Sequence, residues 1–508
     1  MQLLSLGRKT LNLHDKKLKM NEIISAITIL AYFLMLLVVS RLTSHDATND
    51  SFFRAGRQSP WFLVAFGMIG TSVSGVSFVS VPGYVGVTQM TYMQMCIGFF
   101  FGYVIIAFVL LPMYYRRGLT SIYTYLDQRF GNSSHKIGSI FFLLSKMTGA
   151  CARFFLVCLI LQQFVFDRIG IPFVVAIFVL LSLVWLYTRR AGVRTLIYTD
   201  SLQTLCMLSA LIVVVVLISK QMGLDFSGLC KTVTDSDYGR IFVFNDWMSK
   251  QTFWKQFLSG IFVAIVMTGL DQDMMQKNLT CKNLREAQKD MCTYGICFIP
   301  VNLIFLVLGV LLYTFSIHKG ILLPEKTDSL FPMLVQGGYF GYGVTILFVL
   351  GITAAAFSSV DSALTALTTS FCIDILDIEK RGMQENRALQ TRRMVHIGVV
   401  VIFVLFTLIF KVLNNTSVID AIYTMASYTY GPLLGLFAFG LFTKRLPRDH
   451  YVPIVCILSP LICYAISVIV PLLTDYELGY ELLMLNGVLT FCGLWVLSFK
   501  HNCQREYC

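Results

Sequence analysis

Gly67-Met68-Ile69-Gly70-Thr71-Ser72-Val73-Ser74-Gly75-Val76-Ser77, followed closely by Pro82-Gly83, is the stretch on which the reading of this chain turns. It lies inside an apolar block, yet it is dense in glycine and hydroxyl side chains and carries a proline, all of which weaken a helix. A second stretch, Thr268-Gly269-Leu270-Asp271-Gln272, closes another apolar block in the same manner, five blocks further on. Within a bilayer, irregular backbone is tolerated only where protein or a wet cavity covers it. Two interrupted blocks at matching places in two halves of a chain therefore point to paired discontinuous helices around a midplane site. For the first stretch taken alone, close helix packing through small residues is an equal reading.

The surrounding composition fixes the solvent. Of 508 residues, 56% are hydrophobic and 13% charged, and the mean hydropathy is +0.71. A soluble domain carries about a quarter charged residues. The apolar blocks run to about 20 residues, enough to cross roughly 30 Å of hydrocarbon at about 1.5 Å per residue, and they lack the alternation of a barrel strand. The expectation is an all-α polytopic membrane protein with about thirteen transmembrane helices, centred near residues 33, 72, 103, 151, 179, 208, 263, 303, 357, 402, 431, 461 and 492. The 14 cysteines are scattered, mostly in apolar segments, with no disulfide framework or transition-metal spacing.

The net charge of +12 is explained by topology, with no need of nucleic acid. Assigning each Lys and Arg to a loop places 24 of the 40 on one side, from Arg41 through Lys277 and Arg393 to Arg505, whereas the short loops opposite carry only Arg168, Lys319, Lys326 and Lys411. The basic side is cytoplasmic. Thirteen spans then put the N terminus outside and the C terminus inside, in a multi-pass protein of the plasma (inner) membrane. Residues 1–19, with Arg8, Lys9, Lys16, Lys17 and Lys19, fit that orientation poorly and read as an N-terminal extension preceding a start at Met20. The expected organisation is a peripheral first span at 20–43, repeats at 60–219 (spans 2 to 6) and 254–444 (spans 7 to 11), peripheral spans 12 and 13 at 450–499, and a cytoplasmic tail at 500–508.

Ionisable residues at membrane depth are functional candidates, because each costs several kcal/mol there. Arg153 lies deep in span 4, and Lys146 lies one heptad earlier on nearly the same face. A guanidinium keeps its charge, so Arg153 must face water, an internal carboxylate such as Asp361 or Asp200, or a bound anion. Lys146, nearer the helix end, reads as structural. Span 9 places Ser358, Asp361, Ser362 and Thr365 at i, i+3, i+4 and i+7, one helix face with three hydroxyls and a carboxylate. Oxygen ligands of this kind, with carbonyls freed at a helix break, suit Na⁺.

Further motifs carry a resemblance. These are Ala55-Gly56-Arg57, Gly192 with Tyr198-Thr199-Asp200 and Gln203, and Gly269-Leu270-Asp271-Gln272 with Gln276 and Glu286-Ala287-Gln288-Lys289. They continue with Ser358-Ser359 and Asp361-Ser362, then Gly431-Pro432-Leu433-Leu434-Gly435 with Lys444-Arg445. In this order, over about residues 50 to 446, the chain resembles the sodium/solute symporters, whose members include bacterial sodium-coupled galactose, proline and sialic acid carriers with a LeuT-like fold of five plus five inverted helices.

That resemblance implies a sodium site made of the carbonyls of Gly70, Val73 and Ala355 and the hydroxyls of Ser358 and Ser359. It also implies, for some members, a second sodium site from Asp200, Asp361 and Ser362, and a substrate pocket from Ser72, Ser74, Ser77, Gln94, Arg153 and Thr268. Arg153 matches the arginine that pairs with the substrate carboxylate in the sialic acid branch, whereas Gly75 departs from the serine expected there. The implied function is sodium-coupled import of a small organic solute by alternating access, the solute being a carboxylate or an acidic sugar such as a sialic acid. The partners are Na⁺, the solute and membrane lipid, with no other cofactor. A neutral-solute carrier with Arg153 paired internally, and a proton-coupled carrier using Asp200 or Asp361, stand as alternatives. Nothing in the sequence resembles an enzyme's nucleophile and base.

Overall fold

The computed structural model describes residues 25–42 and 59–499, apart from 120, 168–169, 189–192, 379, 414–416, 475 and 477. The readings made for residues 1–19, Ala55-Gly56-Arg57, Gly192 and the tail at 500–508 lie outside these residues.

The described chain is built of helices. Eight are long and apolar enough to cross a membrane, among them α1 (Ser25–Leu42), α4 (Tyr92–Arg117), α6 (Asn132–Phe166), α12 (Leu284–His318), α14 (Gly341–Ile375), α15 (Glu385–Val412) and α18 (Asp449–Leu473), with α8 (Val193–Gln221) as the eighth. Three bent pairs bring the number to eleven. The pairs are α2 (Trp61–Ser72) with α3 (Gly75–Thr88), bent by 56°, α10 (Phe253–Gly269) with α11 (Gln272–Asn278), bent by 70°, and α16 (Val418–Thr429) with α17 (Gly431–Phe442), bent by 46°. The two remaining apolar blocks form the shorter helices α7 (Phe173–Thr188) and α19 (Leu482–Val496). Short helices α5 (Thr124–Arg129), α9 (Phe226–Thr234) and α13 (Leu330–Gln336) lie in the connections.

Both stretches singled out in the sequence are the breaks. At the first, Val73 and Ser74 leave helical geometry, with ψ of 93° and 179°. At the second, Asp271 is extended and caps α11, its carboxylate accepting from the amides of Asp273 and Met274. Such capping satisfies amides that the preceding turn no longer reaches. The third break, at Tyr430-Gly431, has Pro432 just inside the new helix, where its missing N–H costs nothing.

Which helices are interior follows from burial. The apolar stretches of α6 and α14 are each 78% buried, against 28% for α1 and α15 and 22% for α18, so the last three face lipid. α8 packs between α2 and α14, and α10 lies along α4. In the α4–α10 contact Gly98 and Gly260 face each other: a Cβ on Gly260 would strike the Met95 carbonyl, and one on Gly98 the Phe257 carbonyl. Both obstacles are backbone, which a rotamer change does not relieve. Gly260→Val is expected to lower stability by about 1–3 kcal/mol or more, read as reduced folded yield and an earlier thermal unfolding midpoint. An unchanged midpoint would show that the two helices are free to separate there.

Candidate functional site

The breaks face one another across a central cavity. It is lined by Ser72, Ser74 and Ser77 from the first break, by Thr268 and Asp271 from the second, and by Ile422, Tyr423 and Tyr430 beside the third. Lys146 and Arg153 on α6 and Tyr294 on α12 complete the lining. Ser72 Oγ lies 2.6 Å from the Tyr294 hydroxyl, which lies 3.0 Å from that of Tyr103. The N-terminal end of α16 is pinned by Asp328, whose carboxylate accepts from the Val418 amide at 3.0 Å and the Ser417 hydroxyl at 3.2 Å. Burial pushes the Asp328 carboxyl above the usual carboxylate range.

Of the six residues expected around a substrate, five line this cavity: Ser72, Ser74, Ser77, Arg153 and Thr268. Gln94 does not. Its amide oxygen accepts from the Val243 amide at 3.0 Å and its nitrogen donates to the Gln251 carbonyl at 2.9 Å, so it anchors the connection between α9 and α10 to α4. A buried amide satisfied by backbone is a structural group.

Arg153 is half-buried and faces the cavity. Among the described residues no carboxylate lies within 4.0 Å of its guanidinium, and the internal pair with Asp200 or Asp361 is not formed. Lys146, by contrast, is paired: its ammonium is 3.2 Å from Asp271 and 2.8 Å from Asp273. This agrees with its structural reading, although the partners are carboxylates of α11 and its cap instead of the membrane interface.

On α14, the Ser359 hydroxyl donates to the Ala355 carbonyl at 3.0 Å, the bond to the preceding turn that a helical serine commonly makes. Ser358 donates to Asp200 Oδ1 at 2.9 Å. Gly70 packs against α8, where a Cβ would collide with the Thr204 hydroxyl. The face read from the sequence splits beyond this point. Ser362 turns with Ser358 toward Asp200, at 3.4 Å. Asp361 instead accepts from the Tyr187 hydroxyl of α7 at 2.8 Å, and Thr365 donates back to the Asp361 carbonyl.

Asp200 and Ser362 do meet, as expected of a second site, but they meet around Lys277. Its ammonium lies 2.7 Å from Asp200, 2.6 Å from Ser362 and 2.6 Å from Thr71. By sequence Lys277 falls among the cytoplasmic loop cations, yet its side chain is only 2% exposed. Thr71, Asp271, Asp273, Lys277 and Tyr430 were missed as members of the site. The available signal was Asp271 directly after a Gly-Leu break, with Asp273 and Lys277 spaced i, i+4 behind it.

Comparison with known proteins agrees with this architecture. The family profile of sodium:solute symporters matches residues 52–449. The sodium/sialic acid symporter SiaT of Proteus mirabilis is 25% identical over 81% of this chain and 83% of its own length. The sodium-coupled monocarboxylate transporter 1 of Mus musculus is 26% identical over 78% of this chain and 64% of its own, and the human sodium/iodide cotransporter 24% over 77% and 61%. Among solved structures, the substrate-bound outward-open state of a Na⁺-coupled sialic acid symporter superposes with a TM-score of 0.79 at 21% identity, covering 94% of this chain and 99% of that one. Mhp1, a nucleobase-cation-symport-1 family transporter, superposes with a TM-score of 0.56 at 15% identity, over 88% and 94%. With its interrupted helices crossing at a central cavity and the family profile spanning most of its length, the chain belongs to the sodium:solute symporter family.

Proposed function

We propose that this protein imports a small organic anion, a carboxylate or an acidic sugar such as a sialic acid, together with Na⁺. It carries out no chemical conversion of the solute. The observation that carries the reading is Arg153, a permanent cation facing the central cavity with no carboxylate within 4.0 Å among the described residues. A cation left unpaired in such a place is stabilised when an anion arrives. Three relatives bear the names of anions, sialic acid, monocarboxylate and iodide, and another is a sodium/glucose cotransporter, so the anionic reading stands on Arg153 and not on the names.

In this reading Na⁺ sits between the break of α2 and α14, on the carbonyls of Gly70, Val73 and Ala355 and the hydroxyls of Ser358 and Ser359. It holds the two elements together and so completes the pocket, a coupling that must be reciprocal between ion and solute. Access alternates as the two repeats, 60–219 and 254–444, move against each other. The protein lies in the plasma (inner) membrane with its C terminus cytoplasmic, the side on which the loop cations fall. Each net charge carried inward is worth about 2.3 kcal/mol per 100 mV, so the driving force depends on how many Na⁺ accompany the solute.

Purified protein screened by thermal unfolding should be stabilised by N-acetylneuraminate or a short monocarboxylate in Na⁺ buffer, more than in choline buffer and more than by a neutral sugar. Ser359→Ala is expected to raise the Na⁺ concentration for half-maximal stabilisation about tenfold or more, the loss of roughly one ligand interaction worth about 1.4 kcal/mol, with little change in expression. Unaltered Na⁺ dependence in that variant rules out the ligand assignment. Stabilisation that tracks pH and ignores Na⁺ favours proton coupling.

A further inference from the structure

Thr71, Asp200 and Ser362 belong to three different spans, and their oxygens converge on the ammonium of Lys277. The distances are 2.6 Å to Thr71 Oγ1, 2.7 Å to Asp200 Oδ2 and 2.6 Å to Ser362 Oγ. A carboxylate and two hydroxyls is a donor set suited to a small hard cation. Three acceptors also match the three donors of an ammonium. Asp273, one turn back on α11, adds a second carboxylate at 3.5 Å.

The geometry points to Lys277 as a tethered cation standing where a second Na⁺ would bind, leaving one exchangeable Na⁺ per transport cycle. The lysine joins the elements that a bound ion would join: α2 through Thr71, α8 through Asp200, α14 through Ser362 and α11 through its own backbone. Asp200 uses both oxygens, taking Lys277 on Oδ2 and Ser358 on Oδ1. The Asp200 carboxylate alone therefore separates the fixed charge from the proposed sodium ligand Ser358. A Na⁺ brought to the same oxygens would stand beside a buried ammonium, 2% exposed, and like charges so placed repel. With a singly charged anion as cargo, one Na⁺ makes the cycle electroneutral, so accumulation follows the Na⁺ gradient and not the voltage.

This proposal rests on the sodium-symport reading, and counting bound ²²Na⁺ on the purified full-length protein in choline buffer separates the two. The expected count is one Na⁺ for the unmodified protein, two for Lys277→Ala, and one for Lys277→Arg. Two Na⁺ on the unmodified protein overturns the tethered-cation assignment and leaves sodium symport standing, as does a folded Lys277→Ala that still binds one. No bound Na⁺ on the unmodified protein defeats the symport reading and this assignment with it. Should Lys277→Ala fail to fold, Lys277→Met is counted in its place: two Na⁺ upholds the assignment and one overturns it, and two on the unmodified protein overturns it in any case.

Discussion

Arg153→Gln is expected to raise the solute concentration for half-maximal uptake by about 100-fold, with folded yield and Na⁺ affinity nearly unchanged. Hydrogen bonds to charged groups contribute about 1.5–3 kcal/mol, and 2.7 kcal/mol is a factor of about 100 in an equilibrium constant. The folded protein has little reason to miss the guanidinium, because among the described residues no carboxylate lies within 4.0 Å of it. Glutamine retains length and hydrogen-bonding capacity but removes the charge and the planar fork that fits a carboxylate. Arg153→Lys, which keeps the charge without the fork, should fall between the two. Uptake by reconstituted vesicles, measured with the stabilising anion found in the thermal screen, is the check. A variant that folds poorly yet selects and binds the same solute unchanged would mean that Arg153 serves the scaffold and that the cargo is neutral.

How far the sequence led can be judged at the three breaks. Those at Val73-Ser74 and Gly269-Asp271 were legible because glycine and hydroxyl residues interrupt otherwise apolar blocks. The break at Tyr430 was not: Gly431-Pro432 was visible, but proline in the first turn of a helix is also how an unbroken new helix starts. Positions within one helix were likewise legible. Ser358 and Ser362 lie on one face as the 3.6-residue period requires, and both reach Asp200.

Partners across helices were not legible, since periodicity fixes a face and not what stands opposite. Asp361 shares the stripe of Ser358 by count, yet it turns toward Tyr187. Lys277 was misplaced for a related reason. The second half of a broken span, Gln272–Asn278, is polar because it lines the interior against other polar groups, and a hydropathy profile reads such a segment as loop. Gln94 shows the converse: a polar residue near the end of a span reads as lining a pocket, whereas the connection between α9 and α10 folds back to take both ends of its amide.

Asp271→Ala should be the most destabilising of these substitutions, by roughly 3–5 kcal/mol, because three roles meet on one carboxylate. It pairs with Lys146 at 3.2 Å, caps α11 through the amides of Asp273 and Met274, and accepts the Tyr430 hydroxyl at 2.7 Å. Losing the cap costs about 1 kcal/mol, and leaving the buried Tyr430 hydroxyl without an acceptor costs about 1–3 kcal/mol. Removing one side of a buried ion pair costs about 3–5 kcal/mol when nothing replaces it, but here Asp273 keeps Lys146 company at 2.8 Å, so only part of that applies. Asp271→Asn separates the contributions. Asparagine still caps a helix and still accepts from tyrosine, so this variant should lose only the charge and retain more than half of the lost stability. The unfolding midpoints of the two variants are the measurement. Because the carboxylate ties the second break to α6 and to the third break, a variant that unfolds at the normal temperature yet transports nothing would move Asp271 from the scaffold into the group that handles solute.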